Sequence, residues 1–207
     1  MSVHHLSRRP GVAWLEVAAL LAVGSLALRG ADTAAWDWQP ALWPAQAWRV
    51  WTAACLHWSP QHLQMNLLGA ALMAMLGWRA ATRAADAAAW ALAWPLTQVG
   101  LVLQPALQHY AGLSGVLHAG AAIVACRLLK TGPARARRIG ALLGAGLVLK
   151  LALETPWRGA TQAVAGLDFA LAPLAHVSGA VMGGLCFLLC DALVRLRARR
   201  PLQPTPP

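Results

Sequence analysis

The sequence predicts an all-α protein whose six long helices cross a lipid bilayer as one bundle. Two observations lead to this fold class. Only 12% of the 207 residues are charged and 58% are hydrophobic, whereas soluble domains carry about 25% charged residues. The apolar residues also cluster into six runs, each close to the ~20 residues that a helix needs to span the hydrocarbon core. The runs cover residues 12–28, 62–78, 87–103, 112–129, 139–153 and 174–194.

The first run follows Arg8 and Arg9, as the apolar segment of a signal peptide would. Five further runs come after it, so an uncleaved membrane anchor is the simpler interpretation. Residues 31–56, which connect the first two runs, are rich in tryptophan, a residue that favours the headgroup zone. We expect a loop with short helices in that zone, although a simple aromatic belt explains the tryptophan content equally well.

The fifth run is the shortest and carries Gly140, Gly144 and Gly146, which would let it pack closely on a neighbouring helix. Alanine and leucine dominate the runs and the chain has one tyrosine, so no strand pattern competes. Residues 1–200 are predicted to form a single membrane domain. The proline-rich residues 201–207 are predicted to be a disordered tail.

The basic residues predict the orientation of the chain. Most of the 17 Lys and Arg residues lie near the two termini and in the loops after the second and fourth runs, which share one side of a six-span protein. The positive-inside rule places that side, with both termini, in the cytoplasm. The net charge of +10 is therefore an orientation signal that touches anionic headgroups. Nucleic acid is not an expected partner, because the charge is split among four short segments with no recognition motif.

Three polar motifs lie at or beside the opposite, outer ends of the second, fourth and sixth runs. Hydroxyl, amide and imidazole groups are costly in lipid, so their concentration at one depth indicates a function. The motifs are His57-x4-His62-x3-Asn66, Gly112-x-Ser114-Gly115 and His176-x2-Gly179-x3-Gly183.

Ser114 is predicted to begin a helix, where unpaired N–H groups and the positive dipole end could hold a developing oxyanion. Gly179 and Gly183 share a helical face with His176, so that helix could approach the Ser114 helix closely. A buried, neutral His176 would then act as general base. No Asp or Glu is expected at this depth, since Asp168 lies outside the run, and a Ser–His dyad is predicted rather than a triad.

His62 and Asn66 are four residues apart, so both face the same way and could complete the oxyanion site with the Ser114 N–H. His57 is expected to order the loop. Each motif also has a structural explanation by itself: an N-cap at Ser114, a carbonyl-bonded His176, and an interhelical hydrogen bond from Asn66. Their joint occurrence at one depth favours an enzyme.

The order and spacing of these motifs resemble the rhomboid family of intramembrane serine proteases, over about residues 45–190. Trp48-Arg49 in the first loop resembles a further motif of that family. The resemblance implies a six-helix rhomboid-like bundle without metal or cofactor, with Ser114 as nucleophile and His176 as base. It implies an oxyanion hole formed by His62, Asn66 and the Ser114 N–H. It also implies water access from the outer face and cleavage of membrane-anchored proteins near a transmembrane segment.

Many rhomboids carry a tyrosine that stacks on the catalytic histidine where this chain has His118. Together with Lys150-x3-Glu154, the segment 112–118 resembles the rhombosortase branch. That branch implies substrates with a C-terminal Gly-Gly-like motif, an apolar helix and a basic end, and a location in the bacterial inner membrane with the active site toward the periplasm. His118 could orient His176, bond Ser114, or simply pack. Lys150 and Glu154 could pair with each other or contact substrate.

Two other functions remain as alternatives. One is a catalytically inactive rhomboid-like protein that binds membrane clients, against which the intact Ser114/His176 pair argues. The other is a metal-dependent membrane protein that uses His57, His62, His118 and His176. The carboxylates usual in such sites are missing from the second, fourth and sixth runs, except for Asp191 at the far end.

Overall fold

The computed structural model describes residues 9–199, so Arg8 and the predicted tail at 201–207 lie outside the described residues. Between residues 9 and 199 the chain forms eight α-helices and no β-strand, which confirms the all-α prediction. Two of the helices are short, α2 (Thr33–Trp36) and α3 (Arg49–Thr52). The six long ones are α1 (Val12–Ala27), α4 (Pro60–Arg79), α5 (Ala84–Val99), α6 (Ser114–Thr131), α7 (Ala134–Leu153) and α8 (Pro173–Ala198).

Each of the six apolar runs falls on one long helix, but only one of the described helices is long and apolar enough to pass as a membrane span by length and hydropathy. This helix is α8, with a mean hydropathy of 2.0 over its most apolar 18 residues. Helix α1 is apolar but has 16 residues. Helices α4 and α6 contain polar members of the sequence motifs. The outer faces of the bundle nevertheless expose large apolar side chains, among them Leu68, Leu142 and Leu153, as a lipid-facing surface requires.

Helix α6 is the centre of the bundle and packs against α4, α5, α7 and α8. Its contact with α8 is unusually close. A Cβ atom at Gly179 would lie 1.8 Å from the carbonyl oxygen of Gly115, and one at Gly183 would lie 2.4 Å from that of Ala119. Only glycine permits this backbone approach. The prediction that the glycine face of the sixth run meets the fourth run is confirmed.

Two buried tryptophans join helices of the bundle: Trp14 joins α1 to α4 and α5, and Trp90 joins α5 to α6. Trp14 of α1 stacks on Trp90 of α5, with ring centroids 4.2 Å apart. Each indole N–H donates to a backbone carbonyl at 2.8 Å, Trp14 to Met73 and Trp90 to Val116. Both buried donors are therefore satisfied, as burial demands.

Helix α7 packs mainly along α6 and has little contact with α8. Close packing was predicted at three of its glycines and occurs at Gly140, whose Cβ position lies 2.8 Å from the Cβ of Leu128. At Gly144 the neighbour is at ordinary contact distance, and at Gly146 there is open space. The prediction is wrong at these two positions: Gly144 faces Ala125 of α6 across an ordinary distance of 3.9 Å, and Gly146 lines a cavity.

The end of the bundle opposite Ser114, called the inner end from here on, holds a cluster of ion pairs. Asp86 and Asp191 are buried there and bond to basic side chains of neighbouring helices. Asp191 links α8 to the α4–α5 connection through Arg83 (3.0 Å) and to α6 through Lys130 (2.5 Å). Several of the basic residues that predict the orientation therefore also join helices.

Candidate active site

The turn that precedes α6 presents Ser114 as the first residue of that helix. Gly112 has φ +139°, a conformation that side chains disfavour, and a Cβ there would lie 2.8 Å from His62 Nε2. The Gly112 N–H donates to the Ala53 carbonyl (2.9 Å), and Tyr110 Oη donates to the Gly112 carbonyl (3.0 Å). Burial raises the pKa of Tyr110 to about 12, so the phenol stays a donor at neutral pH. The position of Ser114 is thus fixed from both sides of the turn.

His176 lies in the first turn of α8, is buried, and faces Ser114. Its Nε2 is 2.9 Å from Ser114 Oγ, and its Nδ1 is 2.7 Å from Glu154 Oε2. A carboxylate oxygen only accepts, so these partners assign the ring proton to Nδ1. Nε2 is then the unprotonated nitrogen and accepts a hydrogen bond from the serine hydroxyl. This is the arrangement that lets an imidazole take a proton from a nucleophile.

The expectation that no carboxylate reaches this depth is wrong. Helix α7 ends at Leu153, level with the start of α8, and the next residue, Glu154, caps it beside His176. Lys150, one turn earlier, bonds Glu154 Oε1, which confirms that these two residues pair. The spacing Lys150-x3-Glu154 at the outer end of the fifth run was the signal that could have placed a carboxylate here.

His62 and Asn66 face the same cavity as Ser114 from α4. The Trp58 N–H lies 3.4 Å from His62 Nδ1, which places the ring proton of a neutral His62 on Nε2, the edge that faces Gly112. Asn66 is buried, and its Nδ2 has no hydrogen-bond partner within the described residues. The site thus contains two side-chain donors near the nucleophile, His62 Nε2 and Asn66 Nδ2.

Phe169, which the sequence analysis missed, stacks on His62 with ring centroids 4.0 Å apart. It comes from the loop between α7 and α8 and carries no motif that would have identified it. The same loop bonds α4 through Asp168, whose carboxylate accepts from Ser59 Oγ at 2.5 Å. This loop therefore covers the outer end of α4 and holds the His62 ring in place.

Two further histidines, His118 and His57, support the site from either side. His118 stacks on His176 at 4.2 Å with an interplanar angle of 12°, and its Nδ1 donates to the Ser114 carbonyl at 2.7 Å. His118 therefore contacts both His176 and Ser114. Its hydrogen bond goes to the backbone carbonyl of Ser114 and not to the hydroxyl. His57 packs edge-on against His62 at 4.9 Å. Burial lowers the pKa of His57 to about 4, so it is neutral at physiological pH.

Trp48 and Arg49 lie outside the site and organise the first loop. Arg49 is buried and donates to Asp37, to its carbonyl at 2.8 Å and to its carboxylate at 3.2 Å, whereas Trp48 is half exposed. The loop is joined to the segment before Ser114 by two backbone hydrogen bonds of 2.8 Å between Trp38 and Tyr110. Arg49 therefore acts on the site through the loop that it holds.

A cavity of about 630 Å³ opens from Ser114 between α4, α6 and α7. Its outer end carries the polar side chains of the site, including Lys150 and Glu154. Its inner part is apolar and is lined by Leu72 of α4 and by Leu143 and Leu147 of α7. The cavity is large enough for several residues of an extended chain, with the nucleophile at its polar end. Within residues 9–199, no three His, Cys, Asp or Glu side chains are grouped so as to hold a metal ion.

Comparison with family models matches residues 44–192 to the Rhomboid domain. The match includes the first loop from before Trp48, all three polar motifs, helices α4 to α7 and α8 as far as residue 192. None of the curated proteins compared with the chain matches it.

Proposed function

The chain belongs to the rhomboid family of intramembrane serine proteases, and from this premise we propose that it is an active endopeptidase that uses Ser114 and His176. The observation that carries the proposal is the 2.9 Å separation of Ser114 Oγ from the unprotonated Nε2 of His176. Ser114 Oγ attacks the peptide carbonyl while His176 takes its proton. His176 then gives the proton to the leaving amine, and water hydrolyses the acyl-enzyme.

The oxyanion of the tetrahedral intermediate is stabilised by the Ser114 N–H, His62 and Asn66. Ser114 is the first residue of α6, where backbone N–H groups have no partner within the helix. The free Nδ2 of Asn66 supports its assignment to this role. Donors that are already in place and shielded from water stabilise developing charge without reorganisation.

The substrates are membrane-anchored proteins, cut near one end of a transmembrane segment. A helix buries its own peptide bonds, so the substrate must unwind before Ser114 can attack, and small or glycine residues lower the cost of unwinding. Within this class we favour exported bacterial proteins that end in a Gly-Gly-like motif, an apolar helix and a basic end. This choice rests on His118 and on the Lys150/Glu154 pair, which resemble the rhombosortase branch.

The protein is an integral membrane protein by family, and we place it in the bacterial inner membrane. The distribution of Lys and Arg supports cytoplasmic termini. The end of the bundle that carries Ser114 then faces the periplasm, where exported substrates arrive and where water is available for deacylation.

A fluorophosphonate probe tests the proposal, since it reacts only with an activated serine. The purified protein in detergent is expected to be labelled, and Ser114→Ala is expected to abolish labelling. Ser25→Ala is the matched control, because Ser25 is a buried serine of α1 that bonds only its own helix, and labelling should persist.

The outcome also separates the alternatives. A folded wild-type protein that fails to react would overturn the protease assignment and favour a client-binding protein without catalysis. Reaction that is abolished by chelators would favour the histidine-based metal protein. Reaction that survives both chelation and Ser114→Ala would show that another serine is the nucleophile.

A further inference from the structure

We propose that Glu154 is a positioning residue that converts the Ser114–His176 pair into a Ser–His–Glu triad, an inference that rests on the proposed protease function. The chain Ser114 Oγ, His176 Nε2, His176 Nδ1 and Glu154 Oε2 is continuous, with separations of 2.9 Å and 2.7 Å at its two hydrogen bonds. Each member comes from a different long helix or its end: α6, α8 and α7.

The His176 ring needs a partner at Nδ1 in order to work. A neutral imidazole has two tautomers, and only the one protonated at Nδ1 leaves Nε2 free to accept the serine proton. The Glu154 carboxylate cannot donate, so it selects this tautomer and fixes the rotation of the ring. It also stabilises the imidazolium that forms when Ser114 attacks, because the opposite charge lies in direct contact within a largely buried site.

Glu154 is itself held in place. Lys150 bonds its second oxygen, which keeps the carboxylate ionised and leaves Oε2 for His176. Thr155, the next residue, has φ +46°, a strained conformation for a β-branched side chain. Gln162 donates to the Thr155 carbonyl at 3.1 Å, which holds this turn. The backbone at the end of α7 is therefore constrained at the point that delivers the carboxylate.

The same contact joins α7, which otherwise packs mainly on α6, to the outer end of α8. In a purely structural role, or latch, the contact of Glu154 with His176 would only hold α7 against α8. The two roles predict different results. A latch affects stability and the shape of the cavity, whereas a positioning residue affects the chemical step at Ser114.

The test is the reaction of a fluorophosphonate with the full-length protein, resolved into the binding constant KI and the rate constant kinact, for Glu154→Gln. We expect kinact to fall by at least ~100-fold with KI unchanged, because in serine proteases loss of the triad carboxylate's charge costs about 10⁴ in the chemical step. Glu154→Asp should recover part of kinact, since the charge returns at a longer distance. Glu16→Gln, the same change at an exposed position of α1, is the matched control and should behave as wild type.

Several outcomes overturn the inference. If the folded Gln variant keeps a wild-type kinact, or if KI alone rises, Glu154 does not position His176. If the Gln variant does not fold, Glu154→Asp carries the test. Its kinact must then fall by at least ~10-fold, since a displacement near 1 Å can cost 10² in rate, and an unchanged kinact rejects the triad. Failure of the wild-type protein to react overturns the proposed function itself, whereas a reactive wild type with an equally reactive Gln variant overturns only the role of Glu154.

Discussion

At the scale of single residues, the site separates into groups that react and groups that hold them. Ser114 and His176 are in direct contact, and the ring stacked on His176 is His118. Tyr110 and Gly112 fix the turn before Ser114, and Phe169 fixes the His62 ring. Most of the polar atoms here are committed to partners. Two buried nitrogens, Asn66 Nδ2 and His57 Nε2, have none within the described residues, and of these two residues Asn66 lines the cavity beside Ser114.

Asn66→Ala is expected to slow the reaction of Ser114 with a fluorophosphonate by ~100–1,000-fold, the usual cost of one lost oxyanion donor. Its effect on the melting temperature should be small, since no described hydrogen bond depends on Nδ2. Gln98→Ala, which removes a buried amide of α5 outside the cavity, is the control and should leave the rate unchanged. Gross unfolding of the Asn66 variant would show instead that the amide is architectural.

At the scale of helices, catalysis depends on how closely α6 and α8 approach. The hydrogen bond between Ser114 and His176 exists because two glycines of α8 lie against the backbone of α6 at Gly115 and Ala119. Rows of small residues allow such contacts in membranes, where helix association relies on packing and not on exclusion of water. The distance between nucleophile and base is therefore set by residues that carry no polar side chain.

Gly179→Ala is expected to disrupt both the fold and the site, because its Cβ would lie 1.8 Å from the Gly115 carbonyl oxygen. Overpacking of this kind costs ~1–3 kcal/mol or more, and separation of the helices breaks the Ser114–His176 bond. A thermal melt and the labelling rate measure the two effects. Gly184→Ala, on the same helix with nothing within 4 Å, should retain activity and lose no stability. Equal behaviour of the two variants would contradict close packing at Gly179.

The sequence was sufficient to predict the helices and the approach of His176 to Ser114. Apolar runs predict helices directly, and the glycines that follow His176 predict which helix it approaches. The contact of Phe169 could not be predicted, because it depends on the path of residues 155–172, which has no periodic pattern and carries two isolated hydrogen bonds between Gln162 and Leu171. The spacing Lys150-x3-Glu154 places a carboxylate at the outer end of α7, but its contact with His176 depends on how α7 lies relative to α8. The prediction of close packing along α7 is wrong at Gly144 and Gly146. Glycine permits close contact but does not require it, and at Gly146 the space is open.

At the scale of the whole molecule, the two ends of the bundle have different chemistry. The inner end holds the buried carboxylates Asp86 and Asp191 among basic side chains, and the outer end holds the hydroxyl, amide and imidazole groups of the site. Ion pairs of Asp191 hold α6, α8 and the α4–α5 connection together at the inner end. The cavity beside Ser114 carries its polar side chains at the other end. Orientation in the membrane therefore decides which compartment supplies substrate and water.

Arg135 and Arg158 allow that orientation to be measured, because both are exposed and lie at opposite ends of α7. In intact spheroplasts, a membrane-impermeant maleimide is expected to label Arg158→Cys but not Arg135→Cys, and lysis should make both reactive. The native cysteines are buried or half-buried, so the unsubstituted protein measures the background. The physical reason is the concentration of Lys and Arg near Arg135, which favours retention of that side in the cytoplasm. The opposite labelling pattern would place Ser114 on the cytoplasmic face and exclude exported proteins as substrates.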